Sequence, residues 1–406
     1  MFKSIKIEKW RQIESVQIDL ENPMTVITGA NGSGKTTILN ILSNHFGWNL
    51  NWTSTRGRKK DDSKFWSDVW ALWDASFLPR SNTAKIGEIE YSSGPICELH
   101  VPLQVTEQYQ INYKNQQAVL GLYIPSHTQP FSYQKVPSIP TDPKTSAQQF
   151  QEYKNLLIQL YQSDRVHNPG LVIKSSIIAL AVFGYGNRAV AENLEFIQIF
   201  EAFQEALRIL LPDEVGFQRL EIRMPDVVLI TESGNFSLDS ISGGIGALVG
   251  IAWQILMYGI DKNEFVVTFD EPENHLHPAM QRELLPNLER AFPKTKFIIS
   301  THSPFIVTSN PHAKIYVLKF VNNKVTSRYL EYQELSGDYN ETLQEIFEVP
   351  LTVPKWVEIA IRELYRRATR DGVTAESIET FKTELEKLRL YPQFRKVATG
   401  LEDKDA

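Results

Sequence analysis

The stretch that most constrains this 406-residue chain is Gly29-Ala-Asn-Gly-Ser-Gly-Lys35-Thr36. It follows the apolar run Met24 to Thr28 and opens a segment with helical periodicity. A G-x4-G-K-[ST] string in that context commits the chain to a strand–loop–helix unit. Glycines let the backbone wrap tightly with its N–H groups turned inward, and the helix start adds a dipole that favours anions. The loop is built to hold phosphate. Asn31, Gly32, Ser33, Gly34, Lys35, Thr36 and Thr37 are its expected contacts. Lys35 is placed to reach the outer phosphates and the Thr36 hydroxyl to ligate Mg²⁺, so ATP and Mg²⁺ are the expected cofactors.

Three further motifs follow. Glu264-Phe-Val-Val-Thr-Phe-Asp270-Glu271-Pro272 is a buried strand ending in paired carboxylates. Asp270 is expected to hold Mg²⁺, and Glu271, facing another direction, to polarise an attacking water. Ile241-Ser242-Gly243-Gly244-Ile245 opens a long apolar helix and makes a second anion-binding helix start. Phe297-Ile-Ile-Ser-Thr-His302-Ser303-Pro304 ends another buried strand in a histidine able to hydrogen-bond a γ-phosphate.

Together these motifs resemble those of ABC-type ATPases. The second helix start is similar to the Leu-Ser-Gly-Gly-Gln signature, with Ile241 for Leu and Ile245 for Gln. Asp270-Glu-Pro-Glu-Asn-His275-Leu-His277-Pro278 and Ser-Thr-His-Ser-Pro resemble the OLD, RecF and SMC-like branch. That resemblance implies an α/β ABC-ATPase head of the P-loop NTPase class. Its parts would be a mixed sheet, an antiparallel β subdomain and an inserted helical subdomain; no heptad repeat is sustained along the chain, so no long coiled coil is expected. It also implies a homodimer or higher homo-oligomer formed head to tail around ATP. Lys35, Glu271 and His302 of one copy would then act with Ser242, Gly243 and Gly244 of another. Arg11, just before the second strand, is implied as a nucleotide contact, and His275 and His277 as dimer-face residues. Neither Gln104 nor Gln129 stands out as the glutamine of the Q-loop.

For function, the resemblance favours the ATPase subunit of a PARIS-like or Septu-like anti-phage system. The segment Asn340 to Phe347 contributes to that likeness. The stretch after Pro350 is too short for a Toprim nuclease, so a separate nuclease or toxin effector is expected. Two other readings stay open: a DNA-repair ATPase of the RecF or SMC type, and a nucleotide-gated scaffold without turnover.

The expected divisions are an N-terminal ATPase lobe at 1–145 and a helical subdomain at 146–215. A C-terminal ATPase lobe follows at 216–350 and a helical extension at 351–406. Five of the eight tryptophans fall between 48 and 73, interleaved with Arg56, Arg58, Lys59, Lys60 and Lys64. This insert reads either as a DNA contact through Arg56, Arg58, Lys59 and Lys60, or as a solvated loop. Trp66, Trp70, Trp73 and Phe77 share one helical face, which points to core or a partner groove. Net charge is −6, so any nucleic-acid contact must be local. A single cysteine, Cys97, excludes an intrachain disulfide and fits a cytoplasmic protein. The apolar run Ile245 to Ile260 is shorter than the ~20 residues a membrane span needs, so no membrane contact is expected.

Overall fold

The structure, a computed structural model, describes residues 1–54, 56–58, 64–66, 82–103, 107–126, 131–139, 144–162, 169–330, 355–369 and 374–388. It divides into two compact units, Met1–Tyr332 and Gln333–Ala406. In the first unit, β1 (Phe2–Trp10), β2 (Ile13–Asp19) and β3 (Met24–Gly29) lead into α1 (Lys35–Ser43). Short strands β4 (Trp52–Thr53), β5 (Arg56–Arg58) and β6 (Lys64–Trp66) come next. After them run β7 (Thr83–Tyr91), β8 (Ile96–Pro102), β9 (Gln108–Tyr109), β10 (Asn112–Lys114) and β11 (Gly121–Ile124). Helices α2 (Ser146–Gln162), α3 (Pro169–Tyr185) and α4 (Leu194–Leu210) precede β12 (Phe217–Arg223), β13 (Asp226–Thr231) and β14 (Gly234–Ser237). The unit closes with α5 (Gly243–Gly259), β15 (Phe265–Asp270), α6 (Pro278–Ala291), β16 (Thr295–Ser300), α7 (Pro304–Val307), β17 (Lys314–Val321) and β18 (Lys324–Leu330).

Eleven strands form one mixed sheet in the order β10-β8-β7-β1-β2-β18-β17-β3-β16-β15-β11. From β17 to β11 all neighbours run parallel; from β10 to β2 all run antiparallel. The parallel strands β3 and β15 are buried at every residue. Their continuous apolar runs need cover on both faces, as a parallel sheet does. Helix α1 packs over β3, β15 and β16. This is an α/β P-loop NTPase fold with the expected mixed sheet.

The inserted helices pack on one another and on α5, the helix that follows the second glycine-rich start. Trp253 of α5, fully buried, donates its indole N–H to Ser176 Oγ of α3 at 3.2 Å. The small sheet β12-β13-β14 lies against α3 and α4. Among the described residues no helix is long and apolar enough to cross a membrane. The second unit pairs α8 (Lys355–Thr369) with α9 (Ala375–Lys387) around Val357, Ile361 and Leu385.

One expectation for the tryptophan-rich insert is corrected. Trp66 ends strand β6, paired with Arg56 of β5, so it does not begin a helical stripe. Its partners in that stripe, Trp70, Trp73 and Phe77, lie outside the described residues, as do Lys59, Lys60, Gln104, Gln129 and the segment 340–347. Strand β18 has no clear signature in the sequence. Its alternation is weak and its neighbours, β17 and β2, come from opposite ends of the unit.

Gly29 shows how closely the sheet approaches the phosphate loop. Its φ is +139°, and a Cβ there would sit 2.3 Å from Leu318 O of β17. Gly29→Ala therefore forces a backbone shift in the central strands. We expect a loss of about 2–3 kcal/mol in unfolding free energy, read by denaturant titration.

Candidate nucleotide site

Three parallel neighbours, β3, β16 and β15, end at one edge of the sheet, where Asp270 pairs with Ser300 and Ser300 with Ile27. Their C-terminal ends carry the phosphate loop, Asp270-Glu271 and Thr301-His302. The first, second and fourth motifs thus converge on one site.

In the loop, Gly32 and Gly34 take φ of +80° and +99°, values that exclude most side chains without strain. Open space surrounds the Cβ position of Gly32. Gly34 caps α1 and no side chain satisfies the first-turn N–H groups. Free amides at a helix start, together with glycines that leave room, fit a phosphate chain. Asn31, Gly32 and Thr36 are exposed, Thr37 is half-buried, and Ser33 is buried with its Oγ unpartnered. The Lys35 ammonium is held by Gly29 O at 2.9 Å and Ala30 O at 3.2 Å. Burial lowers its pKa, against the raising effect of Glu271, Asp270 and Glu273. A lysine kept in a dry site among carboxylates, with carbonyls as its bonded partners, is poised for an anion.

The Thr36 hydroxyl donates to Asp270 Oδ1 at 3.1 Å, and Ser300 Oγ donates to the same oxygen. Hydroxyl and carboxylate oxygens side by side are the hard donor set that suits Mg²⁺. Burial raises the Asp270 pKa; hydrogen bonds from Ser300 and Thr36 oppose it. Glu271 has φ of 48°, with its N–H bonded to Ser300 O at 2.9 Å. Its carboxylate faces His302, whose Nδ1 lies 3.4 Å from Glu271 Oε1 and 3.4 Å from Glu273 Oε1. Asn274 Nδ2 donates to Glu271 Oε2 at 3.4 Å and to Ser126 O at 3.0 Å.

Three residues here were not assigned roles from sequence. Buried Glu273 accepts from Thr301 Oγ1 at 2.7 Å and from the His302 backbone N–H at 2.9 Å, so it fixes the end of β16. Ser300 orients Asp270. Gln12 Nε2 donates to Gly32 O at 2.6 Å and clamps the loop from the β1–β2 turn. Gln12 and Ser300 had no local signal. Glu273 did, as a further carboxylate two residues after the Asp270-Glu271 pair.

Arg11 stands beside Gln12 at φ of 55°. Its guanidinium bonds Thr53 O at 2.8 Å and lies over the Trp10 and Trp52 rings at 5.0 and 5.2 Å. Ser242 and Gly243 are exposed at the start of α5. Ser242 Oγ accepts from Ile245 N at 3.4 Å, and the glycine pair packs on His275 and Met280 of the same chain. His277 caps α6 by accepting from Ala279 N.

A family model described as an AAA domain matches residues 4–210, half of the chain. The chain belongs to this AAA-domain ATPase family. A second AAA-domain model, whose description names the AbiEii toxin and a type IV toxin–antitoxin system, matches residues 177–308. Within that class the chain is similar to the Septu protein PtuA of Bacillus thuringiensis, at 21% identity over 76% of this chain and 73% of that protein. It is also 28% identical to the "probable ATPase" of retron Ec83 from Escherichia coli, over 29% of this chain and 23% of that protein. Among solved structures, the SMC head domain of Thermotoga maritima aligns at 15% identity and a TM-score of 0.42, over 81% of this chain and 99% of that one.

Two outcomes test the site. Glu273→Ala strands the buried Thr301 hydroxyl and His302 N–H, and we expect it to cost about 2–4 kcal/mol in a denaturant titration. Asp270→Asn should raise the melting temperature of the nucleotide-free protein near neutral pH. A carboxylate with a raised folded pKa is penalised by burial while ionised, and the amide relieves that penalty. The same variant should lose the extra stabilisation that Mg²⁺ gives in the presence of nucleotide, which a thermal shift with and without the metal reads.

Proposed function

We propose that the protein hydrolyses ATP in sites shared between copies, and that the cycle regulates a separate nuclease or toxin effector of an anti-phage system. The observation that carries the enzymatic part is the convergence of Lys35, Thr36, Asp270, Glu271 and His302 at the ends of three parallel strands. Lys35, Thr36 and the loop amides would grip the triphosphate, and Thr36 with Asp270 would hold Mg²⁺, which supplies charge neutralisation when bound. Glu271, set on its own φ and steadied by Asn274, would accept a proton from water. His302 would orient the same water or the γ-phosphate.

Of the signature residues, Ser242 and Gly243 are exposed and Gly244 is buried beneath them. They neighbour His275, not the loop that precedes α1. That placement supports their use by a second copy in a head-to-tail pair. Removal of the γ-phosphate would then loosen the pair and change what the effector senses. The regulatory part is supported by the likeness to a Septu protein and to a retron ATPase. Arg11 is proposed as a nucleotide neighbour through its place beside Gln12 and the loop.

Glu271→Gln should lower ATP turnover about 100-fold or more while leaving ATP binding intact. Unchanged turnover would remove Glu271 from the role of base. Specific activity should fall on dilution as shared sites come apart. A specific activity that stays constant down to nanomolar protein, in a chain shown to be monomeric, would overturn the shared-site reading.

A further inference from the structure

Lys174, in the middle of α3, has 1% of its side chain exposed. Its ammonium donates to Gln134 O at 3.0 Å, Asp226 Oδ1 at 2.6 Å and Asp239 Oδ2 at 2.5 Å. Three protons meet three acceptors, so the group is fully used. Burial works against the charge, but the two carboxylates outweigh it and the pKa is raised. A buried ion cluster is a poor way to gain stability, because apolar packing of the same volume does as well or better. Its merit is direction: each partner must sit at one distance and angle.

The three partners lie on three different segments. Gln134 belongs to the extended connector 131–139, which also lays Phe131 against Gly246, 3.1 Å from the Cβ position of that glycine. Asp226 opens β13. Asp239 lies in the short 3-10 turn Leu238–Ser240, directly ahead of Ser242. Beside the cluster, Trp253 and Ser176 tie α5 to α3. The turn that aims the glycine pair is therefore fastened to the inserted helices through one lysine.

We infer that Lys174, acting through Asp239, is a positioning residue that fixes the direction in which Ser242, Gly243 and Gly244 face the nucleotide of another copy. This rests on the shared-site reading proposed above. It assigns to the inserted helical block the task of holding the signature turn. Lys174 touches none of the residues of its own phosphate loop, so its loss should leave ATP binding by a separate copy unchanged.

The test is complementation between variants. Lys35→Ala removes the grip on nucleotide and keeps the signature turn; Lys174→Met does the reverse. Each alone should turn over ATP at least tenfold more slowly than the original protein. Mixed in equal amounts, about half of the pairs are mixed and each has one sound site of two, so about a quarter of the original specific activity should return. Asp239→Asn keeps the Lys174 bonds to Asp226 and Gln134, and serves as a second variant if Lys174→Met fails to melt cooperatively. It should bind ATP with unchanged affinity, lose turnover, and be rescued by Lys35→Ala.

Ser242→Arg mixed with Lys35→Ala is the control for the shared site. If that control does not recover activity, the shared-site reading falls and this inference falls with it. If the control recovers while the Lys174→Met and Asp239→Asn mixtures stay at the sum of their separate rates, the role assigned to Lys174 is overturned. Full turnover by Asp239→Asn alone would overturn it as well.

Discussion

The level ending of β3, β16 and β15 is the constraint on which the rest of the site depends. Parallel pairing with Asp270 opposite Ser300 and Ser300 opposite Ile27 sets the first turns beyond the strands side by side. A slip of one residue would turn Asp270 to the other face of the sheet and break its bonds to Thr36 and Ser300 at once. The strands can hold that register because β3 and β15 are buried at every residue and β16 at all but Lys296, and buried backbone must find its partners within the sheet. The cost falls on the two groups whose charge the chemistry needs. Burial pushes Lys35 down and Asp270 up, and each is steadied by polar contacts within the chain.

Much of this was legible in the sequence because the signals are local. A glycine-rich loop after an apolar strand, and apolar strands that stop at Asp270 and His302, each fit within a dozen residues. Helices α2, α3 and α4 fall inside the block 146–215 for the same reason: periodicity and Pro212 mark it. The contacts that join distant segments were not legible. Glu273 reaches Thr301, Gln12 reaches Gly32, and Lys174 reaches Asp226 and Asp239. Lys174 had one visible mark, a single charge inside the apolar run of α3, which in retrospect demands buried partners. Trp66 is misleading in sequence because its spacing with later tryptophans mimics a helical face, while its backbone pairs with β5.

The two glycine-rich helix starts are treated differently. At α1 no side chain caps the first turn, and its amides stay free for a ligand. At α5 Ser242 spends its hydroxyl on Ile245 N, and Gly244 is pressed to within 2.9 Å, at its Cβ position, of His275 O. The first start is shaped by what it must receive from solvent. The second is shaped by its neighbours, with Ser242 and Gly243 left uncovered.

Arg11 and Gln12 are consecutive residues with anchors on opposite sides. Arg11 grips Thr53 O, at the base of the tryptophan-rich insert, while Gln12 grips Gly32 O, at the tip of the phosphate loop. One peptide link is a stiff connection, so the two anchors behave like the ends of a short crank. A displacement of residue 53 is felt first at the arginine contact, one residue from the glutamine that clamps the loop tip. The base of the insert and the place where phosphate would sit are thus anchored through two neighbouring side chains.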